Sequence, residues 1–341
     1  MSSERPAAKH KITLAQARDL LRTTADLRET GLDDRDIRAQ RANGDLHRVR
    51  RGHFVDKAEW DSLWSEGRHL LHVLAVVADA DAPPVLSGVS AAAVHGLPLY
   101  QLSPERVHVI VATPGHAGSV RDLLRHEVAL PDADIVELDG LRVTSAARTV
   151  LDVIRTTRVE AAQSVADAAL RAVSVRHQRA DPDLVELWRD DMERRLAHLT
   201  GARGVRRARE VIAFADGRAQ LPGESVSRLR LREMGFRSVD LQVPVRSPHG
   251  SDWFVDFGLD DINAFGEYDG EGKYTDPELR GERDIEDAVL DEKQREDWIR
   301  GRTGRPMLRW GGTHIGTLRT FATRLAAFHV PVTNGYRLAR R

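Results

Sequence analysis

Ile12, Leu14, Ala17, Leu20 and Leu21 recur at the three- and four-residue spacing of a helix that buries one face. After the turn at Gly31 the pattern predicts a second helix, which Asp33 can cap and in which Asp36 sits near the positive end of the dipole. There Ile37 faces inward, Arg35, Arg38 and Arg41 project outward, and Asn43-Gly44 stops the helix. Leu46, Val49 and Phe54 supply the apolar positions of a short hairpin with Arg50, Arg51 and Gly52 at its tip. Farther along, Val107, Val109 and Val111 alternate with His108, Ile110 and Ala112, which predicts a largely buried strand. The run from Leu86 to Pro98 reads as a short Ala-rich helix capped by Ser90 and ended by Gly96, and Ser145 reads as the N-cap of a helix through Val150, Leu151 and Ile154.

Residues 183–214 are helical in pattern and highly charged, with a break at 200–204, as expected of a connector. Pro222-Gly223-Glu224-Ser225 then opens a helix with Val226, Leu229 and Met234 as apolar contacts. Three strands follow: one on Leu241, Val243 and Val245, one on Phe254, Asp256 and Gly258, and one over 264–269 after a polar turn at Asp260-Asp261. Strand side chains repeat every two residues, so Glu267 and Asp269 share a face. Antiparallel neighbours would set Asp256 beside Glu267. A closing helix is expected around 321–328.

The 341 residues suffice for two or three domains at roughly 150 residues each. With 41% hydrophobic and 30% charged residues, wholesale disorder is excluded. The absence of cysteine excludes disulfides, thiolate metal sites and a Cys nucleophile. The first eleven residues lack a signal-peptide core, and the apolar run 70–78, broken by His72, falls short of the roughly 20 residues of a membrane span. A soluble, cytoplasmic protein with no membrane partner is expected.

The net charge of −1 argues against a strongly basic nucleic-acid binder, yet it hides segregation. Residues 1–60 carry +3, 61–199 carry −6, 200–251 carry +5, 252–299 carry −12 and 300–341 carry +9. From Arg35 to Gly52 there are six Arg against two Asp, which suits a helix in a major groove beside a basic hairpin on phosphates. An ordinary solvated helix and turn would look the same. In the −12 block, gathered carboxylates repel unless a cation neutralises them, and all-oxygen ligands select Mg²⁺ or a similar hard ion. The arginines beyond residue 300 can flank such a patch where it faces DNA. His95, Arg148 and Asp152 also invite a catalytic reading, but Arg148 and Asp152 stand at i, i+4 on one helix and can simply pair.

The run Gly31-Leu32 through Leu46-His47-Arg48-Val49-Arg50-Arg51-Gly52-His53-Phe54-Val55 resembles the winged-helix start of AbiEi-like type IV antitoxins, as do residues 86–98 and 139–152. That resemblance implies a double-stranded DNA-binding transcriptional regulator, acting on the operator of its own operon and paired with a nucleotidyltransferase-like toxin. Glu224, Gln242, Asp256, Glu267-Tyr268-Asp269-Gly270, Glu292-Lys293-Gln294-Arg295-Glu296 and Met307-Leu308-Arg309-Trp310 occur in the order found in the PD-(D/E)XK superfamily, in the branch of very-short-patch-repair endonucleases. This second resemblance implies a restriction-endonuclease-like domain with Asp256, Glu267 and Asp269 as metal ligands and Glu224, Asp256, Glu267 and Lys273 as catalytic residues. Asp269 stands where the superfamily has Lys. Either Lys273 or Lys293 takes over, or the domain has kept its fold without catalysis.

The expected architecture is therefore α/β and multidomain: a winged helix over 1–60, a mixed α/β middle domain over 61–182, a helical connector over 183–217 and a nuclease-like domain over 218–341. Arg35, Arg38, Arg41, Arg48, Arg50 and Arg51 would contact DNA. Three functions stay open: antitoxin-like regulator, Mg²⁺-dependent endonuclease, and non-catalytic protein-binding scaffold.

Overall fold

Capping chemistry sets the first helices. Thr13 caps α1 (Leu14–Leu20); after the short strand β1 (Arg22–Thr23), Thr23 caps α2 (Thr24–Glu29) and Asp33 caps α3 (Asp34–Asn43). Each forms a capping box, in which cap side chain and third-residue side chain both accept from backbone N–H groups. The computed structural model describes residues 9–111, 122–199, 201–270, 285–333 and 335–337. The chain is a multidomain α/β protein in two units, Met1–Val165 with Arg194–Arg209, and Ala166–Glu193 with Glu210–Arg341.

In the first unit Gly44 ends α3 with a left-handed φ of 84°, and the hairpin β2 (Leu46–Arg50) and β3 (His53–Asp56) follows. The antiparallel sheet runs β1-β3-β2, and Leu27, Ile37, Leu46 and Phe54 form the core between helices and sheet. Next come α4 (Lys57–Ser62), α5 (Ser65–Ala78), β4 (Val85–Leu86), α6 (Gly88–Val94), β5 (Val107–Val111), β6 (Leu123–Glu127), β7 (Ile135–Leu138), β8 (Leu141–Thr144) and α7 (Ala146–Thr156). Their mixed sheet runs β6-β5-β4-β8-β7. Ser145 caps α7 as expected. The cap of α6, however, is Ser87 rather than Ser90, which lies wholly buried one turn inside the helix. Its Oγ accepts from the His108 N–H at 2.8 Å and meets His69 Nε2 at 2.8 Å, so the hydroxyl serves the packing of α5 and β5 against α6.

Helices α8 (Val159–Ser174), α9 (Pro182–Ala197) and α10 (Val205–Phe214) each contribute residues to both units. The second unit adds the hairpin β9 (Val175–Arg176) and β10 (Arg179–Ala180), then α11 (Pro222–Glu233), β11 (Val239–Arg246), β12 (Asp252–Leu259), β13 (Ala264–Asp269), α12 (Ile285–Thr303), β14 (Met307–Gly311), α13 (Gly312–Ile315) and α14 (Leu318–Ala326). Its sheet runs β11-β12-β13-β14, antiparallel except for the parallel pair β13 and β14. Trp310 packs between Phe257 and Phe321 with 5.2 Å between ring centres on either side, and Gly266 leaves the room that its indole fills. Among the described residues no helix is long and apolar enough to cross a membrane.

Candidate functional site

The six arginines of the N-terminal window separate into two groups. Arg35, Arg38 and Arg41 on α3 and Arg48 and Arg51 of the hairpin are exposed. Arg50 turns inward: its Nη1 lies 2.5 Å from Asp79 Oδ2 and its Nε donates to Asp122 Oδ2 at 2.6 Å. His53 Nε2 adds a 2.9 Å contact to the other oxygen of Asp79. The pairing register of β2 with β3 shifts between Arg48 and Arg50, a bulge of the kind that re-aims a side chain. Burial alone would raise the Asp122 carboxyl, but the hydrogen bond and charge of Arg50 outweigh it and hold Asp122 below its ordinary range.

In the second unit the register brings the acids together. Phe257 pairs with Gly266, and Asp256 and Glu267 are the residues next beyond that last antiparallel pair. Glu224 enters from the first turn of α11. Gly223 makes this approach possible, because a Cβ there would stand 1.9 Å from Tyr268 Cζ. Glu224, Asp256 and Glu267 are only 1%, 7% and 3% exposed, a depth at which carboxylates need partners. Asp256 Oδ2 accepts the Tyr268 N–H at 2.8 Å, and its Oδ1 accepts from Gln242 Nε2 at 3.3 Å. Glu267 Oε1 accepts from Arg295 Nη2 at 3.2 Å, and the same nitrogen donates to the Phe254 carbonyl at 2.6 Å. Glu224 Oε2 accepts the Gln220 N–H at 2.9 Å.

Asp269 is half-buried and accepts from Arg309 at 3.2 Å; Arg309 also binds Glu292 at 2.5 Å and Glu296 at 3.1 Å. Burial works against the charge of Arg309, but the hydrogen bond it donates to Glu292 and the surrounding acids raise it above its ordinary range. Lys273 lies outside the described residues, and Lys293 is exposed on α12. The donor set of Asp256 and Glu267 is all oxygen and fits Mg²⁺, which takes one or two carboxylates and completes its shell with water. Among the described residues no three His, Asp or Glu side chains are arranged to hold a metal ion.

Three positions beside these acids carry no signal of their contacts in the sequence. Arg295 and Arg309 fall within motif pieces, but only the fold shows that they neutralise Glu267 and Asp269. Gln220, a neutral amide two residues before Pro222, carries no periodic or charge signal at all. The residues weighed for a middle-block catalytic role are tied into structure instead. His95 Nε2 meets the Thr144 carbonyl at 2.8 Å, and Arg148 donates to Asp152 at 2.9 Å.

The chain matches no family model. Two curated proteins of Mycobacterium tuberculosis, MT2308 and Rv2248, both named only as uncharacterized, are each 33% identical to it over 137 residues, which is 40% of this chain and 46% of theirs. The chain thus spans about half the length of the curated relatives it matches. The crystal structure of the Rv2827c protein from Mycobacterium tuberculosis covers 73% of this chain and 93% of its own, with 16% identity and a TM-score of 0.33.

Proposed function

We propose that this protein is a duplex-DNA-binding regulator of the antitoxin type, and the observation that carries the reading is the row of five exposed arginines on α3 and the β2–β3 hairpin. Arg35, Arg38 and Arg41 would meet phosphates and base edges in the major groove, with Arg48 and Arg51 on the flanking phosphates. On this reading it represses its own operon and offsets a nucleotidyltransferase-like toxin. The test is a titration of fluorescent duplex DNA at several salt concentrations. Arg38→Ala and Arg51→Ala should each flatten the slope of log affinity against log salt by about one unit. Binding indifferent to all five arginines sinks the proposal.

The register that leaves Asp256 and Glu267 next beyond the last β12–β13 pair favours a second reading, a Mg²⁺-dependent DNA endonuclease. Asp256 and Glu267 would hold the ion, which supplies Lewis-acid chemistry for phosphodiester hydrolysis. Glu224 would orient the attacking water, and Arg295 would keep Glu267 in place. Supercoiled plasmid incubated with Mg²⁺, beside an Asp256→Ala, Glu267→Ala double variant, separates the readings. Nicking by the parent and not by the variant supports the enzyme; no cleavage by the parent across varied substrates leaves the regulator.

A further inference from the structure

Three glutamines from three separate segments meet in a line that ends on Asp256. Gln220 donates through Nε2 to Gln178 Oε1, on the turn between β9 and β10, and to Gln242 Oε1 on β11 at 2.8 Å. Gln242 passes the line on, donating through its own Nε2 to Asp256 Oδ1 at 3.3 Å. The polarity of the line is set at one end. An ionised carboxylate only accepts. Gln242 must therefore turn its NH₂ towards Asp256 and its oxygen away, that oxygen calls for the NH₂ of Gln220, and the second hydrogen of this NH₂ calls for the oxygen of Gln178. The backbone N–H of Gln220 is committed as well, to Glu224 Oε2 at 2.9 Å. Gln220 thus holds Glu224 directly and reaches Asp256 through Gln242.

The backbone is bent to make this line. Gln178 and Gln242 adopt φ of 67° and 52°, in the left-handed region that a side chain disfavours, and His177 beside Gln178 does the same at 49°. Such residues persist where their surroundings over-determine them, and they concentrate at functional sites. Here two of them are bound to the same amide.

We propose that Gln220 is a positioning residue for the carboxylate site, and that the Gln178, Gln220 and Gln242 amides couple the Asp256 side chain to the tip of the β9–β10 hairpin. The functional meaning rests on reading Asp256 and Glu224 as site residues; the coupling itself does not. When the Asp256 carboxylate is taken away, Gln242 Nε2 loses its acceptor, and the orientation of Gln220 and Gln178 is no longer fixed from that end. The hairpin tip, with His177 exposed, is then released.

The experiment uses full-length protein with ¹⁵N-labelled glutamine side chains, with and without Asp256→Ala. The side-chain amide signals of Gln242, Gln220 and Gln178 should all move. A disturbance that stops at Gln242 overturns the coupling. Asp256→Asn removes the charge at nearly constant volume and gives the same reading should the alanine variant fold poorly. Gln220→Ala should disconnect Gln178 from any change at residue 256, and a Gln178 signal that still responds overturns the role of Gln220. Mn²⁺ titration of the same proteins tests the site separately. Gln220→Ala should weaken Mn²⁺ at least tenfold, and equal affinity counts against positioning. A parent protein that takes up no Mn²⁺ removes the cation reading of the site and leaves the amide result to decide the coupling.

Discussion

Arg50 and Arg38 are the same residue type twelve positions apart, and the structure gives them opposite tasks. Arg38 is exposed on α3, whereas Arg50 spends its guanidinium on Asp79 and Asp122 and so fixes the hairpin against the end of α5 and the start of β6. Arg50→Ala takes the guanidinium from Asp122 and Asp79, leaving Asp79 only its contact with His53, and should cost about 1–3 kcal/mol of stability, with the salt slope of DNA binding unchanged. Arg38→Ala should do the reverse, flattening the slope with a stability change within about 0.5 kcal/mol. Thermal unfolding beside the DNA titration separates the two, and a matching response from both arginines contradicts this division. Gly223 sets a second test at this scale. Adding a methyl group there drives it into the Tyr268 ring, so Gly223→Ala should cost about 1–3 kcal/mol by overpacking and displace Glu224 with α11. A Gly223→Ala protein with the parent melting temperature rules that contact out.

At the scale of elements, the buried histidines of the first unit make it acid-sensitive. Burial, then the neighbouring His126 and Arg106, push His108 down to about 4, and burial with His72 and His108 around it pushes His69 down to about 3. His108 and His126 share a 3.2 Å contact between β5 and β6, and His69 reaches Ser90 of α6 from α5. The unfolded chain takes up protons below the ordinary value of 6.5, while the folded chain does so only near the lowered values. Stability should therefore fall as pH drops from about 6.5 to about 4, by a few kcal/mol in total. Carboxylates held below their ordinary 3.8, such as Asp122, begin to contribute only at the lower edge of that window. His108→Gln should reduce the loss of melting temperature between pH 7 and pH 5, and a parent equally stable at both values refutes the account.

The same elements show what a sequence can and cannot reveal. The caps at Asp33 and Ser145, the stop at Gly44 and the alternation on β5, β11, β12 and β13 are local, so spacing alone predicts them. Helix α2 escapes because Leu27 is its one buried residue, too few to make a period. Hairpin β9–β10 escapes because its turn is His177-Gln178 with positive φ, where Gly or Asn would have been the signal. That Asp256 and Glu267 stand next to the last β12–β13 pair, Phe257 with Gly266, was legible from strand parity. The partners of those acids were not, since Arg295 and Gln220 arrive from elements whose distance along the chain carries no pairing rule.

For the whole molecule the charge blocks change meaning once partners are known. The −12 and +9 windows belong to the same unit and answer one another there: Arg300 binds Asp297, Arg305 binds Asp260, and Arg309 gathers Asp269, Glu292 and Glu296. The tail that looked available to flank DNA is thus partly consumed in neutralising the acids before it. Such pairs at the surface contribute little one by one, but Arg309 stands among three carboxylates, and its loss leaves like charges facing one another. Arg309→Ala should therefore destabilise the protein by about 2–4 kcal/mol at low ionic strength, and less near 0.5 M salt, where screening shortens the reach of the repulsion. Melting temperatures of parent and variant at two salt concentrations measure the difference. If the gap does not narrow with salt, Arg309 acts by packing rather than charge. In millimolar Mg²⁺, acids that Arg309 had helped Arg295 and Arg300 keep compatible should recover part of the lost stability, whereas acids merely solvated at a surface should gain nothing from the divalent ion beyond ionic strength.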